Sequence, residues 1–383
     1  MTKAVDAAKL DTLVKRLEAL PIDALDSASS GVEHLLLDLA VAFRDATEGS
    51  AWGVANSREL GARACHALLR LPVTQYSDTV ASAFWEVARF SAARRLNTSL
   101  VLEVARRLID VGALLGSLEW RRKAFTLSSP TLGLSANYAL AMEHAWSALM
   151  LARAIGEASR IAAGWNNLGT ALSGAGLYQA GLRCFEIAIE EVKELAGEAG
   201  IATRTAALNN VALSELYLGN FTRGLLAAEE VWLSLEGDFS SRAVTSRLIG
   251  GCYLVRLLLE TGDVARARMI CNALLDMAAR AESEVRVAEV EVVDGLCLVF
   301  EELVAAGLAR IRRGLDVLRN LQAELRDALQ FAIRAYELAG EIAAAAVLRR
   351  ELSLHNRLNQ QQGILEQHRS HLNLLKILKS ALM

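Results

Sequence analysis

Proline and aromatic residues are scarce in this sequence, which has three prolines and 5% aromatic residues in 383 positions, whereas 53% of its residues are hydrophobic. So few prolines exclude proline-rich linkers between domains. The hydrophobic residues are mainly Ala, Leu and Val, a composition that predicts a helical core. Because a chain of this length exceeds the size at which one compact core keeps growing, we expect either two domains or an elongated array.

An excess of charge of one sign is also missing, since the sequence has 41 basic and 44 acidic residues and a formal net charge of −3. This balance provides no positive field for a nucleic acid, so no nucleic-acid partner is expected. Long apolar runs are missing as well, and the best candidate, residues 35–43, is interrupted by Asp38. Such a run is too short to span a bilayer, and we expect no membrane partner.

The cysteines form an odd, scattered set without a CxxC motif, namely Cys65, Cys184, Cys252, Cys271 and Cys297. Residues 1–20 are charged throughout and do not have the pattern of a secretory signal peptide. These features together predict reduced thiols in a cytoplasmic protein.

One stretch, residues 162–195, has the pattern of two helices around a tight turn. Its first apolar stripe has helical spacing and consists of Trp165, Leu168, Gly169 and Leu172. The small Gly169 would let a neighbouring helix pack closely, and Gly174 and Gly176 interrupt the helix. A second stripe alternates small and large residues, as two closely packed antiparallel helices require: Tyr178, Gly181, Leu182, Phe185, Ala188 and Ile189.

The pattern recurs at a fixed period, which makes it a repeat. The turn glycines Gly176, Gly219 and Gly262 are each 43 residues apart (219 − 176 and 262 − 219). The positions before these glycines match as well, with Asn166-Asn167 and Asn209-Asn210 in the first two units and Cys252-Tyr253 in the third.

The order of Trp, Leu, Gly, turn Gly, Tyr, small residue, Phe and Ala resembles the tetratricopeptide repeat signature. It departs from that signature at Leu172, where an aromatic residue is usual, and at Gly181, where Ala is usual. The resemblance implies an all-α fold, a right-handed α-solenoid of helical hairpins, of the long-period type that bacterial regulatory and sensor proteins contain.

We expect three regions along the chain: residues 1–118 as diverged repeats or a helical cap, residues 119–350 as the repeat array, and residues 351–383 as a C-terminal helix. Candidate N-terminal helices cover residues 6–19, 32–47, 54–70, 77–95 and 99–115. Pro130 should kink or end the helix that contains it. Later repeats are looser, and Gly307 and Gly340 are each interpreted as joining two helices.

The C-terminal helix has a heptad pattern that is typical of a coiled coil. Its apolar positions would mediate a homodimer and include Leu358, Leu365, Leu372 and Leu375. The alternative is that this helix folds back as the cap that a solenoid requires at its end.

No pattern of catalytic residues, phosphate-binding loop or metal-ligand spacing is found in the sequence. We therefore expect a non-catalytic protein without a metal or cofactor, and any enzymatic activity would belong to a domain outside these residues. A binding function is the remaining expectation, because stacked hairpins form a concave groove that can hold a ligand.

The groove is predicted at fixed positions of the first helix of each hairpin: Asn166, Asn167, Thr170, Asn209, Asn210, Tyr253 and Arg256. In related peptide-binding proteins an Asn near Asn167 and Asn210 bonds the peptide backbone, so the resemblance implies that role here. The alternative is that these Asn side chains bond the preceding repeat instead. Lys123 and Arg204 are expected on the same faces, and Arg256 and Lys123 could hold a carboxylate.

Two classes of function compete. The first is the regulatory or sensory module of a bacterial signalling protein, which binds a protein or peptide and uses its C-terminal helix to dimerise or to pass the signal to an output domain such as a cyclic-di-nucleotide enzyme. The alternative is a stand-alone peptide receptor that resembles the Rap quorum-sensing regulators, or a passive assembly scaffold.

Overall fold

A computed structural model describes most of the chain, namely residues 7–20, 30–48, 57–71, 77–93, 98–135, 137–195, 197–238, 240–280, 283–321 and 325–361. In these residues the chain forms seventeen α-helices and no strand. The predicted all-α class is confirmed. None of the described helices is both long enough and apolar enough to cross a membrane.

The described residues fall into two compact units that meet in sequence after Leu195. The helices of the first unit are α1 (Ala7–Glu18), α2 (Ser30–Glu48), α3 (Ser57–Leu69), α4 (Asp78–Ala93), α5 (Thr98–Leu114), α6 (Leu118–Leu134), α7 (Tyr138–Ile155), α8 (Ala158–Gly174) and α9 (Tyr178–Glu191). Those of the second are α10 (Glu198–Leu218), α11 (Phe221–Ser234), α12 (Ser241–Glu260), α13 (Val264–Arg280), α14 (Glu284–Phe300), α15 (Val304–Asn320), α16 (Arg326–Leu338) and α17 (Ile342–Gln361).

The five N-terminal helices match the five candidates of the sequence, with ends that differ by a few residues. They pack around one apolar core in which Phe43 and Phe90 meet edge to face, with ring centres 4.8 Å apart. Arg63 on α3 also binds α1, since it donates to both Glu18 oxygens at 2.8 and 2.6 Å and to Asp11 at 2.8 Å. The division of the chain at residues 118 and 350 stays a prediction.

The helical hairpin of α8 and α9 has the close contact that its small residues predict. A Cβ atom on Gly169 would lie 2.9 Å from the carbonyl oxygen of Gly181, and within 2.8 Å of the Phe185 ring. Real Cβ atoms do not approach other atoms so closely. Glycine therefore sets the distance between the two helices, as the sequence indicated. The turn that joins them contains Gly176 at φ 84°, a left-handed conformation that favours glycine.

Two expectations about helix ends need correction. Gly307 does not join two helices, because it lies inside α15, where a Cβ atom would come 2.6 Å from the Gly295 carbonyl oxygen on α14. The turn before α15 instead contains Glu302, which takes the left-handed φ of 64°. Pro130 does not end its helix either, since α6 continues to Leu134. Gly340 does lie in a turn, at φ 74° between α16 and α17.

The final described helix, α17, begins at Ile342, and its described part ends at Gln361. Leu365, Leu372 and Leu375 lie outside the described residues, as does the side chain of Leu358. The predicted coiled coil therefore stays a prediction.

Candidate functional site

The second unit consists of four helical hairpins, in which α10, α12, α14 and α16 are the first helices and α11, α13, α15 and α17 the second ones. The first helices are also neighbours of one another, because α10 packs on α12, α12 on α14 and α14 on α16. In a solenoid of this kind the first helices line the inner, concave face. The inner face of the second unit is thus built from these four helices.

Side chains from three first helices meet at Asp327, in the first turn of α16. The hydroxyl of Tyr253 on α12 donates to Oδ2 at 2.9 Å, and the hydroxyl of Tyr217 on α10 donates to Oδ1 at 2.6 Å. Hydrogen bonds to a charged acceptor are roughly twice as strong as neutral ones. Since α10 and α16 belong to the first and the fourth hairpin, these bonds cross the concave face.

A second group of side chains surrounds Glu260, the last residue of α12. Arg334 on α16 donates from Nε and Nη2 to the two carboxylate oxygens, at 3.0 Å each, and Arg256 donates from Nε to Oε1 at 2.8 Å. The Arg256 guanidinium also lies 5.5 Å from the centre of the Phe331 ring, within the range of a cation–π interaction. This group connects the same two helices as the bond between Tyr253 and Asp327.

The pKa values of this group are shifted by burial and by charge. Burial alone would raise the pKa of Glu260, but the hydrogen bonds and charges of Arg334 and Arg256 lower it below its usual value. Burial lowers the pKa of Arg256, and the nearby Glu260 partly opposes that effect. Because an arginine stays protonated in proteins, the group is a cation–anion–cation arrangement at neutral pH.

The contacts between α12 and α16 occur in matching order along the two helices. On each helix the residues are spaced by three and four positions, which places them on one face. The pairs are Tyr253 with Asp327, Arg256 with Phe331, and Glu260 with Arg334. The two helices, each of which packs on α14, therefore run in the same direction, and their side chains meet across the concave face.

Further charges lie on the same face. Arg286 donates to Glu289 on α14 at 2.5 Å, and burial lowers the pKa of Arg326 against the opposing effect of Asp327. Together these residues comprise four arginines, three carboxylates, two tyrosine hydroxyls and the buried ring of Phe331. Such a surface offers both donors and acceptors, which is what the backbone and charged groups of a polypeptide require.

The structure brings two of the predicted groove residues together, Tyr253 and Arg256 on α12. Arg256 binds Glu260 of its own helix, and its expected bond to a carboxylate of a ligand stays a prediction. Asn209 has a different environment, because it is buried and donates to the Ser246 carbonyl oxygen of α12 at 3.2 Å. That bond joins the first helix of one hairpin to the first helix of the following one, which is a packing role. Asn210 is half-buried on α10.

The remaining predicted groove residues lie on α8 in the first unit. Thr170 is exposed and donates to the Asn166 carbonyl oxygen at 2.9 Å, while the side chains of Asn166 and Asn167 are half-buried. Lys123 does not hold a carboxylate by a hydrogen bond among the described residues, and instead lies 4.2 Å from the centre of the Trp120 ring. Arg204 binds Glu230 at 2.6 Å.

Half of the inner face was not predicted from the sequence, namely Tyr217, Glu260, Asp327, Phe331 and Arg334. A signal for two of them was present. Tyr217 and Glu260 occupy the same place in successive repeats, seven residues after Asn210 and Tyr253 and so two turns further along the same helical face. The residues on α16 had no such signal, because the repeat period is lost after Gly262.

Comparisons with solved structures identify the fold of the chain. No protein-family model and no curated protein matches the chain. A solved structure of a Rap protein complexed with Competence and Sporulation Factor matches with a TM-score of 0.65 at 15% identity, over 93% of this chain and 98% of that one. Aspartyl phosphate phosphatase F from Bacillus subtilis matches with a TM-score of 0.59 at 13% identity, over 93% and 96%.

These proteins are helical tetratricopeptide-repeat proteins, and the likeness extends over nearly the whole chain. The chain has the tetratricopeptide-repeat fold. The predicted α-solenoid of helical hairpins is thereby confirmed. In that fold the first helices line the inner face, which agrees with the position of the charged residues on α12 and α16.

Proposed function

We propose that this protein is a non-catalytic regulatory protein that binds a peptide on the inner face of its second unit. The observation that supports this proposal most directly is the pair of parallel first helices, α12 and α16, that present Arg256 and Glu260 opposite Asp327 and Arg334. The hydrogen-bond donors and acceptors of these residues follow one another along the axes of α12 and α16. An extended peptide presents its own polar groups in the same linear order.

Two further observations support the proposal. Arg256 and Arg334 share a single carboxylate, so one of them can accept a second anionic group without leaving Glu260 unpaired. A Rap protein with the same fold was solved with Competence and Sporulation Factor bound. The proposed peptide-receptor role would use the fold of this chain in the same way.

The proposal is tested by screening the full chain against an array of random linear peptides and measuring the selected peptides by fluorescence anisotropy. Arg256→Gln should weaken binding at least about tenfold, since a hydrogen bond to a charged group contributes about 1.5–3 kcal/mol. Arg319→Gln is the matched control, because Arg319 also binds a glutamate, Glu351, but lies on α15, a second helix. Equal affinities of both variants and the wild type, or an array without any binding peptide, would refute the proposal and favour a passive scaffold.

We also propose that α17 carries the response by self-association. Ala345 and Leu348 face inward and are buried, whereas Val347 and Leu354 are 66% and 49% exposed and lie one heptad apart. Two exposed apolar residues at this spacing are typical of a coiled-coil seam with a second copy of the chain. A signal could then pass from the peptide site to an output domain through this helix.

The measurement is the molar mass of the full chain by light scattering. Val347→Glu with Leu354→Glu should convert a dimer to a monomer. Leu226→Glu should leave the dimer unchanged, because Leu226 is 65% exposed on α11 and lies outside the seam. A monomeric wild type would contradict this role and leave α17 as the cap of the array.

A further inference from the structure

The hydrogen bonds at Asp327 differ from the other contacts that hold the second unit together. Successive first helices pack directly on one another, and Leu254, Leu257 and Leu258 of α12 are fully buried, while one hydrogen bond joins Asn209 of α10 to the Ser246 carbonyl oxygen of α12. The contact between α10 and α16 is instead made by hydroxyl and carboxylate groups of residues 110 positions apart in the sequence. The two kinds of contact respond differently to a polar ligand.

We propose that Tyr217, Tyr253 and Asp327 form a clamp, the Tyr–Asp clamp, that holds the concave face of the second unit closed and opens when a ligand enters. Its role in binding rests on the proposed peptide-binding function, whereas its effect on the arrangement of the helices does not. The clamp joins the first, second and fourth hairpins of the unit. Opening it removes the hydrogen bonds between the first and fourth hairpins, whose separation then depends on the packing of successive hairpins and on the Glu260–Arg334 pair.

The clamp is suited to exchange with a peptide because its bonds are polar. A donor on the ligand can replace a tyrosine hydroxyl at the Asp327 carboxylate, and the net free energy of such an exchange is small. Breaking the apolar contacts between successive helices would expose buried leucine side chains to water and cost far more. A ligand therefore opens the unit at the clamp and leaves the stack of hairpins intact.

The clamp should also lower the affinity for a ligand. While the clamp is closed, only the open fraction of the molecules can bind, and the apparent affinity is reduced by that fraction. A chain without the clamp should bind the same peptide more tightly. Direct contact of the two tyrosines with the ligand would have the opposite effect, because their loss would then weaken binding.

The test measures the distance between the first and fourth hairpins in the full chain without ligand. Spin labels on Thr222→Cys and Leu338→Cys, both exposed, report this distance by double electron–electron resonance. The five native cysteines are buried, so they label slowly. The clamp variant is Tyr217→Phe with Tyr253→Phe, and the control is Tyr336→Phe, which loses a hydroxyl of α16 that binds Arg312 instead.

The clamp variant should add a population at longer distance, while the control overlays the wild type. Asp327→Ala should give the same added population, and combining it with the tyrosine variant should add nothing further, because both remove the same contact. A clamp variant whose distances overlay the wild type would overturn the proposal.

The second arm uses the peptide selected on the random array. Its affinity for the clamp variant should rise about tenfold, the factor that corresponds to one charge-assisted hydrogen bond. Weaker binding by the clamp variant would overturn the clamp and make the tyrosines ligand contacts. If no array peptide binds the wild type, the peptide-binding function fails, and the distance measurement still decides the clamp.

Discussion

Replacing Gly307 by alanine tests whether glycine sets the spacing of α14 and α15. The new Cβ atom would lie 2.6 Å from the Gly295 carbonyl oxygen and 2.7 Å from Cγ2 of Val299. The first of these atoms belongs to the backbone, so no side-chain rotation can relieve the overlap. The two helices must separate instead, along an interface where Gly295 and Gly314 also face backbone oxygens.

The magnitude follows from two opposing effects. Overpacking of a close contact costs about 1–3 kcal/mol. Alanine in a helix interior is favoured over glycine by about 1 kcal/mol. Because the opposing atom is backbone, we expect the overpacking to dominate and the free energy of unfolding to fall by about 1–2 kcal/mol.

The assay is urea unfolding of the full chain, followed by circular dichroism. Gly133→Ala is the control, because a Cβ atom at this helical position meets no other atom within 4 Å. That variant should be unchanged or gain up to about 1 kcal/mol from helix propensity. If Gly307→Ala is as stable as Gly133→Ala, the close approach of the two helices does not depend on glycine and the reasoning is wrong.

Three further predictions concern stability and use the same unfolding assay. Glu302→Gly should stabilise the protein by about 0.5–1 kcal/mol, because Glu302 has the left-handed φ of 64° that glycine adopts without strain; no gain would contradict this. Burial lowers the pKa of His144 from 6.5 to about 4, so its contribution to stability is complete above pH 6.5 and is lost as the pH falls towards 4. At pH 5 this loss should be about 2 kcal/mol and should be absent in His144→Gln. Asn209→Ala should cost about 1–2 kcal/mol and Asn167→Ala clearly less, because only Asn209 is buried with a bond to the next hairpin; equal costs would argue against the packing role.

The sequence predicted the hairpins well because local features determine them. The five N-terminal helices follow from apolar spacing and from the polar residues between them. The turn at Gly176 and the close contact of Gly169 with Gly181 both involve residues of one short segment of the chain. Each of these features involves residues that are near in sequence, so pattern alone is sufficient to find them.

Gly307 was misinterpreted because glycine has two uses in this fold. It can occupy a turn with positive φ, as Gly262 does at 87°, or it can allow two helices to approach, as Gly307 does. Both uses place glycine near the end of a hydrophobic run. A turn formed by a charged residue such as Glu302 has no sequence signal that separates it from an exposed helical position.

Half of the inner face could not be predicted for a different reason. Whether Tyr217 on α10 reaches Asp327 on α16 depends on the curvature of the array, which is the sum of small rotations between successive hairpins. Each rotation depends on how closely the helices pack. A sequence pattern identifies the residues that face inward but does not identify those that meet across the concave face.

The packing glycines and the inner face are therefore connected through geometry. Gly295 and Gly307 hold α14 and α15 close together in the third hairpin, which stands between the helices that carry Tyr217 and Asp327. A wider third hairpin would change the position of α16 relative to α10, although neither glycine lies at the polar contacts. Since a hydrogen bond weakens steeply when its geometry is disturbed, small residues far from the site help to determine whether its polar groups meet.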